Sequence, residues 1–372
     1  MIILIDGRTL TATSAGISNF LKESVTAWAK ISPNDCFIIA TPKPVHNTFN
    51  REWHSDNVQV KEISNRLFHI LPNLIWLSVR MPLLARKYKA GIYYSPLPCL
   101  PFLLPKEIKK IIVVHDVVNI EFQHTMQWTN VLVNKLFFNR SIKIADIIWT
   151  NSFYTENKIK HYFPQRKCQD IFTGASVNRD IYHSITISSE EKALILKKYH
   201  LEQPFIIFVG SLEPRKNLAF LLSLMPELSK RASLQLVIVG GKGWKNNDIR
   251  NIIEHPGYPV ESVVFCGFVP NEDLVKLYNL ARCFVSCSLN EGFGMPQLEA
   301  LFCECPIVTS HNSAMIEVAG GKDGAVTIEG YDKKKWTDAI IRVSEERPKV
   351  NLSQLESYDW NNIVTKLVKN RL

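Results

Sequence analysis

Paired cysteines are missing from this sequence. No Cys-x-x-Cys occurs among its eight cysteines, and none stands at a zinc-site spacing from histidine, so a structural metal knot is excluded. The cysteines sit mostly in apolar runs such as Cys283-Phe284-Val285-Ser286-Cys287 and read as buried free thiols in a reducing, cytoplasmic setting. No apolar run reaches the roughly 18 to 20 residues of a membrane span. The opening Met1-Ile2-Ile3-Leu4-Ile5-Asp6 has no basic start and meets a carboxylate early, which makes it a first strand and not a signal peptide. No Asp-x-Asp occurs to hold a metal, so the expected metal ligands are none. Gly240-Gly241-Lys242-Gly243 lacks the Lys-Ser/Thr ending of a phosphate loop. The basic residues are not interleaved with aromatic ones as in a nucleic-acid module, so no nucleic-acid partner is expected.

What is present is length and patterning. A chain of 372 residues suggests two domains at roughly 150 residues each. The net charge of +9 is unevenly placed. Residues 1–180 hold 22 Lys and Arg against 13 Asp and Glu, and the remaining 22 of each sign cancel. One basic lobe beside a neutral one fits either an anionic partner for the first lobe alone or simply a solvated basic surface.

From Gln203 onward short β-rich runs alternate with amphipathic stretches. The runs are Phe205 to Val209, Leu236 to Val239, Val263 to Phe265, Cys283 to Ser286 and Ile307-Val308. The helical stretches are Leu218 to Leu228, Ile249 to Ile253, Leu274 to Leu280, Pro296 to Leu301 and Trp336 to Val343. This alternation predicts βαβ units around a parallel sheet. Strands at Ile2 to Ile5, Phe37 to Ala40, Val58 to Val60, Ile92 to Tyr94, Ile111 to Val114 and Ile147 to Trp149 predict the same for the first half. The fold class is therefore α/β with two doubly wound, Rossmann-like lobes. The expected division is 1–180, then 181–357, with a last helix at 358–372 packing back on the first lobe. The linker is placed at Ser176 to Ser189, before a helix at Glu190 to Tyr199.

Ligands of open α/β sheets sit at the carboxyl ends of the strands, so the loops there carry the chemistry. After Phe205 to Val209 comes Gly210-Ser211-Leu212-Glu213-Pro214-Arg215-Lys216-Asn217. Two cations at a helix start oppose the macrodipole unless an anion such as a phosphate sits there; the plain alternative is a solvated turn. After Cys283 to Leu289 comes Glu291-Gly292-Phe293-Gly294-Met295-Pro296-Gln297-Leu298-Glu299. Gly292 and Gly294 let backbone approach a ligand, and Pro296 suits a first helical turn, in which Glu299 would complement the dipole. In one helix Glu291 and Glu299 would be about 12 Å apart, beyond the roughly 5 to 9.5 Å of a hydrolytic acid and base pair. Separate hydroxyl contacts fit better. His115-Asp116 follows Ile111 to Val114; His115 is either a ligand contact or a core histidine bonded to backbone. Gly16, in the polar loop after the first strand, lacks a dinucleotide fingerprint and is a weak anion-loop signal.

Together these segments resemble family 4 of the retaining glycosyltransferases, which have the GT-B fold of two lobes facing a central cleft. Glu291 and Glu299 match that family's two-glutamate motif, and Gly210 to Asn217 resembles its phosphate-binding stretch. The likeness extends through Gly16, His115-Asp116, Asn151-Ser152, Gly267-Phe268-Val269-Pro270 and Tyr358-Asp359-Trp360. Departures are Ile316 before Glu317, Cys303-Glu304-Cys305-Pro306 without the usual Gly, and an unusual Thr173-Gly174-Ala175-Ser176. The resemblance implies that Arg215 and Lys216 neutralise a donor diphosphate and that Glu299 holds the ribose. It implies that Glu291, Gly292, Phe293, Gly294 and Met295 hold the transferred sugar, and that His115 contacts it from the other lobe. Gly16 and Gly210 would lie near the diphosphate, and Gly267, Phe268 and Val269 near the base.

The implied reaction is transfer of a sugar from a nucleoside-diphosphate sugar, with retention and without a metal, His115, Glu291, Arg215 and Lys216 being the catalytic set. No cofactor is implied beyond the nucleotide-sugar co-substrate. The Glu-Pro-Arg-Lys-Asn form leans to GDP-mannose. A saccharide acceptor, lipid-linked, places the chain in bacterial surface polysaccharide assembly, O-antigen or capsule, and at the inner face of the cytoplasmic membrane. Other classes stay open: a catalytically silent nucleotide-sugar-binding partner, or a GT-B epimerase. The stretch 66–89 mixes aromatic, aliphatic and basic residues and reads either as an anionic-membrane contact or as a core helix interrupted by Pro72 and Pro82.

Overall fold

The computed structural model describes the chain except residues 13–14, 48, 50–52, 54, 64–72, 122–127, 168–169 and 242–246. It divides into two compact units, Met1–Ser176 with Tyr358–Leu372, and Val177–Ser357. The first unit holds strands β1 (Ile2–Asp6), β2 (Cys36–Thr41), β3 (Val58–Glu62), β4 (Ile92–Ser95), β5 (Lys109–Val114), β6 (Ile147–Thr150) and β7 (Ile171–Thr173). They pair in parallel in the order β3-β2-β1-β4-β5-β6-β7, with Ile3 opposite Phe37 on one side of β1 and Ile92 on the other. Ile3, Leu4 and Ile5 are fully buried. Successive side chains point to opposite faces, so an unbroken apolar run fits a strand covered on both sides.

The second unit holds β8 (Phe205–Val209), β9 (Gln235–Val239), β10 (Val263–Gly267), β11 (Phe284–Ser286), β12 (Ile307–Ser310) and β13 (Ala325–Ile328), parallel in the order β10-β9-β8-β11-β12-β13. The chain winds outward from β8 to β10, then returns to lay β11 on the other side of β8. The strand order therefore reverses between β8 and β11, and the carboxyl end of the sheet at such a switch is the place where such sheets bind ligands.

The helix expected over 218–228 is two, Leu218–Leu222 and Met225–Ala232. Pro226 supplies no N–H for a continuous ladder and is instead accommodated in the first turn of the second helix. Pro82 does not interrupt its helix, which runs Asn73–Lys87; Pro72 lies outside the described residues. Strands β7 and β13 and the helix Met315–Ala319 were not expected from the patterning; all are short. The last helix, Trp360–Arg371, is capped by Asp359, whose carboxylate accepts from the Asn362 N–H at 2.7 Å. It packs in the first unit: the Trp360 ring stands edge-on to Phe20 at 5.0 Å, and Arg371 Nη2 donates to the Ile171 carbonyl at 3.2 Å. Val364 and Leu367 are fully buried there, roughly 2 kcal/mol of transfer free energy each. The described cysteines 36, 99, 266, 283, 287, 303 and 305 are free thiols; Cys168 is outside the described residues. Among the described residues no helix is long and apolar enough to cross a membrane.

Candidate functional site

The loop after β8 is held by backbone. The Gly210 N–H donates to the Val239 carbonyl at 2.9 Å, and Gly240 presses so close that an added Cβ would lie 2.0 Å from the Gly210 oxygen. With φ at +146°, Gly240 is a close-approach glycine rather than part of a phosphate loop; Lys242 and Gly243 lie outside the described residues. Arg215 and Lys216 do not open an α-helix, as their sequence position suggests. They sit in a 3-10 turn, Pro214–Lys216, which Asn217 closes in the left-handed conformation before a helix of only five residues. Proline fixes the turn's first φ, and asparagine tolerates the left-handed end, so the cations are carried on a tight turn.

The two cations meet carboxylates of the chain itself. Glu291, on the loop after β11, accepts from Arg215 Nη1 at 2.7 Å on one oxygen, and from Lys216 Nζ at 2.5 Å and Ser288 Oγ at 2.7 Å on the other. The backbone joins the loops as well: the Leu289 N–H donates to the Arg215 carbonyl at 2.7 Å, and Arg215 Nη1 to the Asn290 carbonyl at 3.1 Å. Arg215 Nε also meets Glu213 at 3.1 Å, so two cations and two carboxylates balance. The Glu291 side chain is 8% exposed and Lys216 11%, while Arg215 at 31% and Glu213 at 32% form the exposed edge of the cluster. Burial pushes the Glu291 carboxyl up, but attraction to Lys216 and Arg215 and the bonds from Lys216 and Ser288 outweigh it and hold the pKa at about 2. The Ser313 hydroxyl accepts from the Glu291 N–H at 3.0 Å.

The backbone from Glu291 to Gly294 is irregular, and the helix begins at Met295. Helical spacing therefore covers only part of the interval between the two glutamates. Glu299 lies in the second turn of Met295–Phe302, past the dipole's reach, rather than in the first. Its carboxyl accepts from Tyr278 Oη at 3.0 Å and from Tyr182. Burial, partly offset by those two bonds, raises its pKa to about 7. Gly294 caps the helix at φ +91°, and an added Cβ would meet the Gln297 amide at 2.1 Å. Gln297 is buried, and neither of its amide atoms has a hydrogen-bond partner. Gly292 and Phe293 are buried, while Gly294 and Met295 are half-buried.

Gly267 ends β10 at φ +64°; Phe268 beyond it is 66% exposed and Val269 is buried. In the first unit Gly16 is the second residue of the helix Ala15–Ile31, exposed and with open space where a side chain would be. His115 is half-buried at the end of β5, edge-on to Phe20 at 5.0 Å. Its Nε2 is 3.0 Å from the Pro96 carbonyl, which can only accept, so Nε2 carries the proton and Nδ1 a lone pair. Burial outweighs that bond and lowers its pKa to about 4, leaving the ring neutral at pH 7.

The second unit thus brings Gly210, Arg215, Lys216 and Glu291 into one cluster. Glu299 keeps separate partners, and His115 and Gly16 belong to the other unit. Sequence reasoning passed over Ser288, Ser313 and the tyrosines on Glu299. Tyr278 falls in the apolar stretch Leu274 to Leu280 and reads there as core, since only the fold shows where its hydroxyl goes. A surface depression of about 770 Å³ lined by Glu304, Asp323 and Pro348 to Ser353 lies at the amino ends of β12 and β13, the wrong end for a ligand of such a sheet.

Two doubly wound units, with a cation pair and glutamate at the switch point of the second, are the architecture of a GT-B glycosyltransferase. Residues 192–355 match the family described as Glycosyl transferases group 1. The chain is 28% identical over 294 residues to the O-antigen chain mannosyltransferase B of Escherichia coli, covering 76% of this chain and 74% of that one. It is 27% identical over 228 residues to the GDP-mannose-dependent alpha-(1-6)-phosphatidylinositol monomannoside mannosyltransferase of Mycolicibacterium smegmatis, 58% of each chain. The crystal structure of Anabaena HepE in complex with UDP superposes with a TM-score of 0.71 at 14% identity, covering 99% of this chain and 98% of that one. Residues 192–355 are thus similar to the glycosyl transferases group 1, and the chain is a glycosyltransferase.

Proposed function

We propose that this glycosyltransferase moves a mannosyl residue from GDP-mannose to a saccharide acceptor, lipid-linked, in the assembly of a bacterial surface polysaccharide, with retention at the anomeric carbon. The observation that carries the reading is the cluster of Arg215, Lys216 and Glu291 at the switch between β8 and β11. The barrier to glycosyl transfer is charge growing on the departing diphosphate. Fixed cations aimed at it stabilise that charge without reorganising, typically worth about 10²- to 10³-fold per donor removed. In this reading Arg215 and Lys216 receive the diphosphate on their exposed edge, and Glu291 holds them in place while its own loop, Gly292 to Met295, lies along the sugar. Glu299 takes the ribose, and exposed Phe268 with Gly267 and Val269 lies by the base. Within the first unit His115, neutral and with a lone pair on Nδ1, is able to accept from a hydroxyl.

The mannosyl and GDP assignments draw on the similarity to the two mannosyltransferases. A thermal-shift panel of nucleoside diphosphates and nucleotide sugars tests them. GDP and GDP-mannose are expected to raise the melting temperature above UDP and UDP-glucose; the reverse order would overturn the donor assignment. Product analysis with and without acceptor separates transfer from epimerisation. Release of donor sugar by the purified chain alone excludes a silent binding partner.

A further inference from the structure

Glu291 is held in place by the loop that follows the next strand. The Ser313 hydroxyl accepts from the Glu291 N–H at 3.0 Å, and the Ala314 N–H donates to the Glu291 carbonyl at 3.4 Å, so the loop after β12 grips both sides of that residue's backbone. The carboxylate is steered by Ser288, whose hydroxyl donates to it at 2.7 Å. Ser288 is held in turn. Its carbonyl accepts from Asn312 Nδ2 at 3.1 Å and from Tyr331 Oη, on the loop after β13, at 2.9 Å. Asn312 joins the two arms: its amide oxygen accepts from the Ser313 hydroxyl at 2.9 Å, and its Nδ2 also donates to Tyr331 Oη at 3.3 Å. The Ser288 carbonyl can only accept, so the amide nitrogen faces it. Ser313 and Tyr331 each accept one bond and donate another, which makes the loops after β11, β12 and β13 one hydrogen-bonded clasp behind Glu291.

Ser313 is strained in this arrangement. Its φ is +48°, in the left-handed region that serine rarely adopts, and such strain persists where the surroundings over-determine it. A glycine would take that turn freely but would bring no hydroxyl to the Glu291 N–H. We propose that Asn312 and Ser313 are positioning residues for the transfer, setting the Glu291 carboxylate and through it the direction of Arg215 and Lys216. Any turn of that carboxylate moves both cations, because each bonds a different one of its oxygens. The inference rests on the reading of Arg215, Lys216 and Glu291 as the group that stabilises the leaving diphosphate.

The test is a double-mutant cycle in kcat with GDP-mannose and a mannoside acceptor, alongside GDP affinity and melting temperature. Asn312→Ala should lower kcat about tenfold, the scale of a small misplacement of catalytic groups, and leave GDP affinity within about twofold. In the Glu291→Gln background the same change should alter kcat by less than about twofold, because the residue it acts through is already lost. Tyr331→Phe keeps the ring and should show the same dependence on Glu291 with a smaller loss. Ser313→Gly gives the readout that a merely structural role would not produce: a melting temperature at or above that of the parent with kcat lowered. These two variants decide the matter if Asn312→Ala melts early. Equal losses in both backgrounds, or parental kcat in Ser313→Gly, would overturn the proposal and leave the reading of Glu291 intact. Parental kcat in Glu291→Gln would overturn both.

Discussion

At the residue scale the chemistry turns on Glu291. From sequence it stands out as a carboxylate before two glycines, and Arg215 and Lys216 stand out as cations lacking an anion. That the one answers the other was not legible, because 75 residues separate them and only the placing of β11 beside β8 joins their loops. The expectation of an outside anion at these cations is kept as a proposal, beside the chain's own carboxylates Glu291 and Glu213 that the fold brings to them. The consequence is a split in kinetics. Glu291→Gln should leave nucleoside-diphosphate affinity unchanged or tighter, since a carboxylate beside the phosphates is gone, while lowering kcat about 10²-fold through cations no longer fixed. Loss of affinity with kcat preserved would contradict that role. The Glu291 carboxyl is held below its ordinary value, so its stabilisation is present above about pH 4.5 and lost as pH falls toward 2. Glu299 has the opposite sign. Its raised pKa stabilises the fold below about pH 4.5, and that contribution disappears as pH rises toward 7. Denaturant unfolding of the parent against Glu299→Gln should therefore show the parent losing on the order of 3 kcal/mol relative to the variant over that window. A constant difference across it would remove the protonated, buried Glu299.

At the element scale the strands of both sheets were largely legible as short apolar runs, since buried parallel strands need apolar side chains on both faces. β7 and β13 were not read from the sequence. The helices after β8 were read as one because Leu218 to Leu228 keeps its apolar spacing through Pro226. The turn carrying Arg215 and Lys216 depends on backbone that no periodicity reports. Gly240 is its clearest determinant: Gly240→Ala would drive a Cβ into the Gly210 carbonyl at a φ that alanine rarely adopts. The expected cost is about 3 kcal/mol or more, seen as a lowered denaturation midpoint at unchanged m-value. Gly241→Ala, with open space at its Cβ, is the control and should differ little.

At the scale of the whole molecule, the two-sheet plan and the division of charge were both visible in sequence. In the proposed reading the cation pair and glutamate at the carboxyl end of the second sheet stabilise a diphosphate that leaves with negative charge. The central claim is transfer driven by charge stabilisation on a nucleotide leaving group, and one measurement tests it most directly: the rate of GDP release from GDP-mannose in the presence of a mannoside acceptor, parent against Arg215→Ala. The predicted result is acceptor-dependent release by the parent and a fall of about 10² to 10³ in kcat/KM for the variant, with its melting temperature near that of the parent. Equal rates for the two proteins would contradict the account.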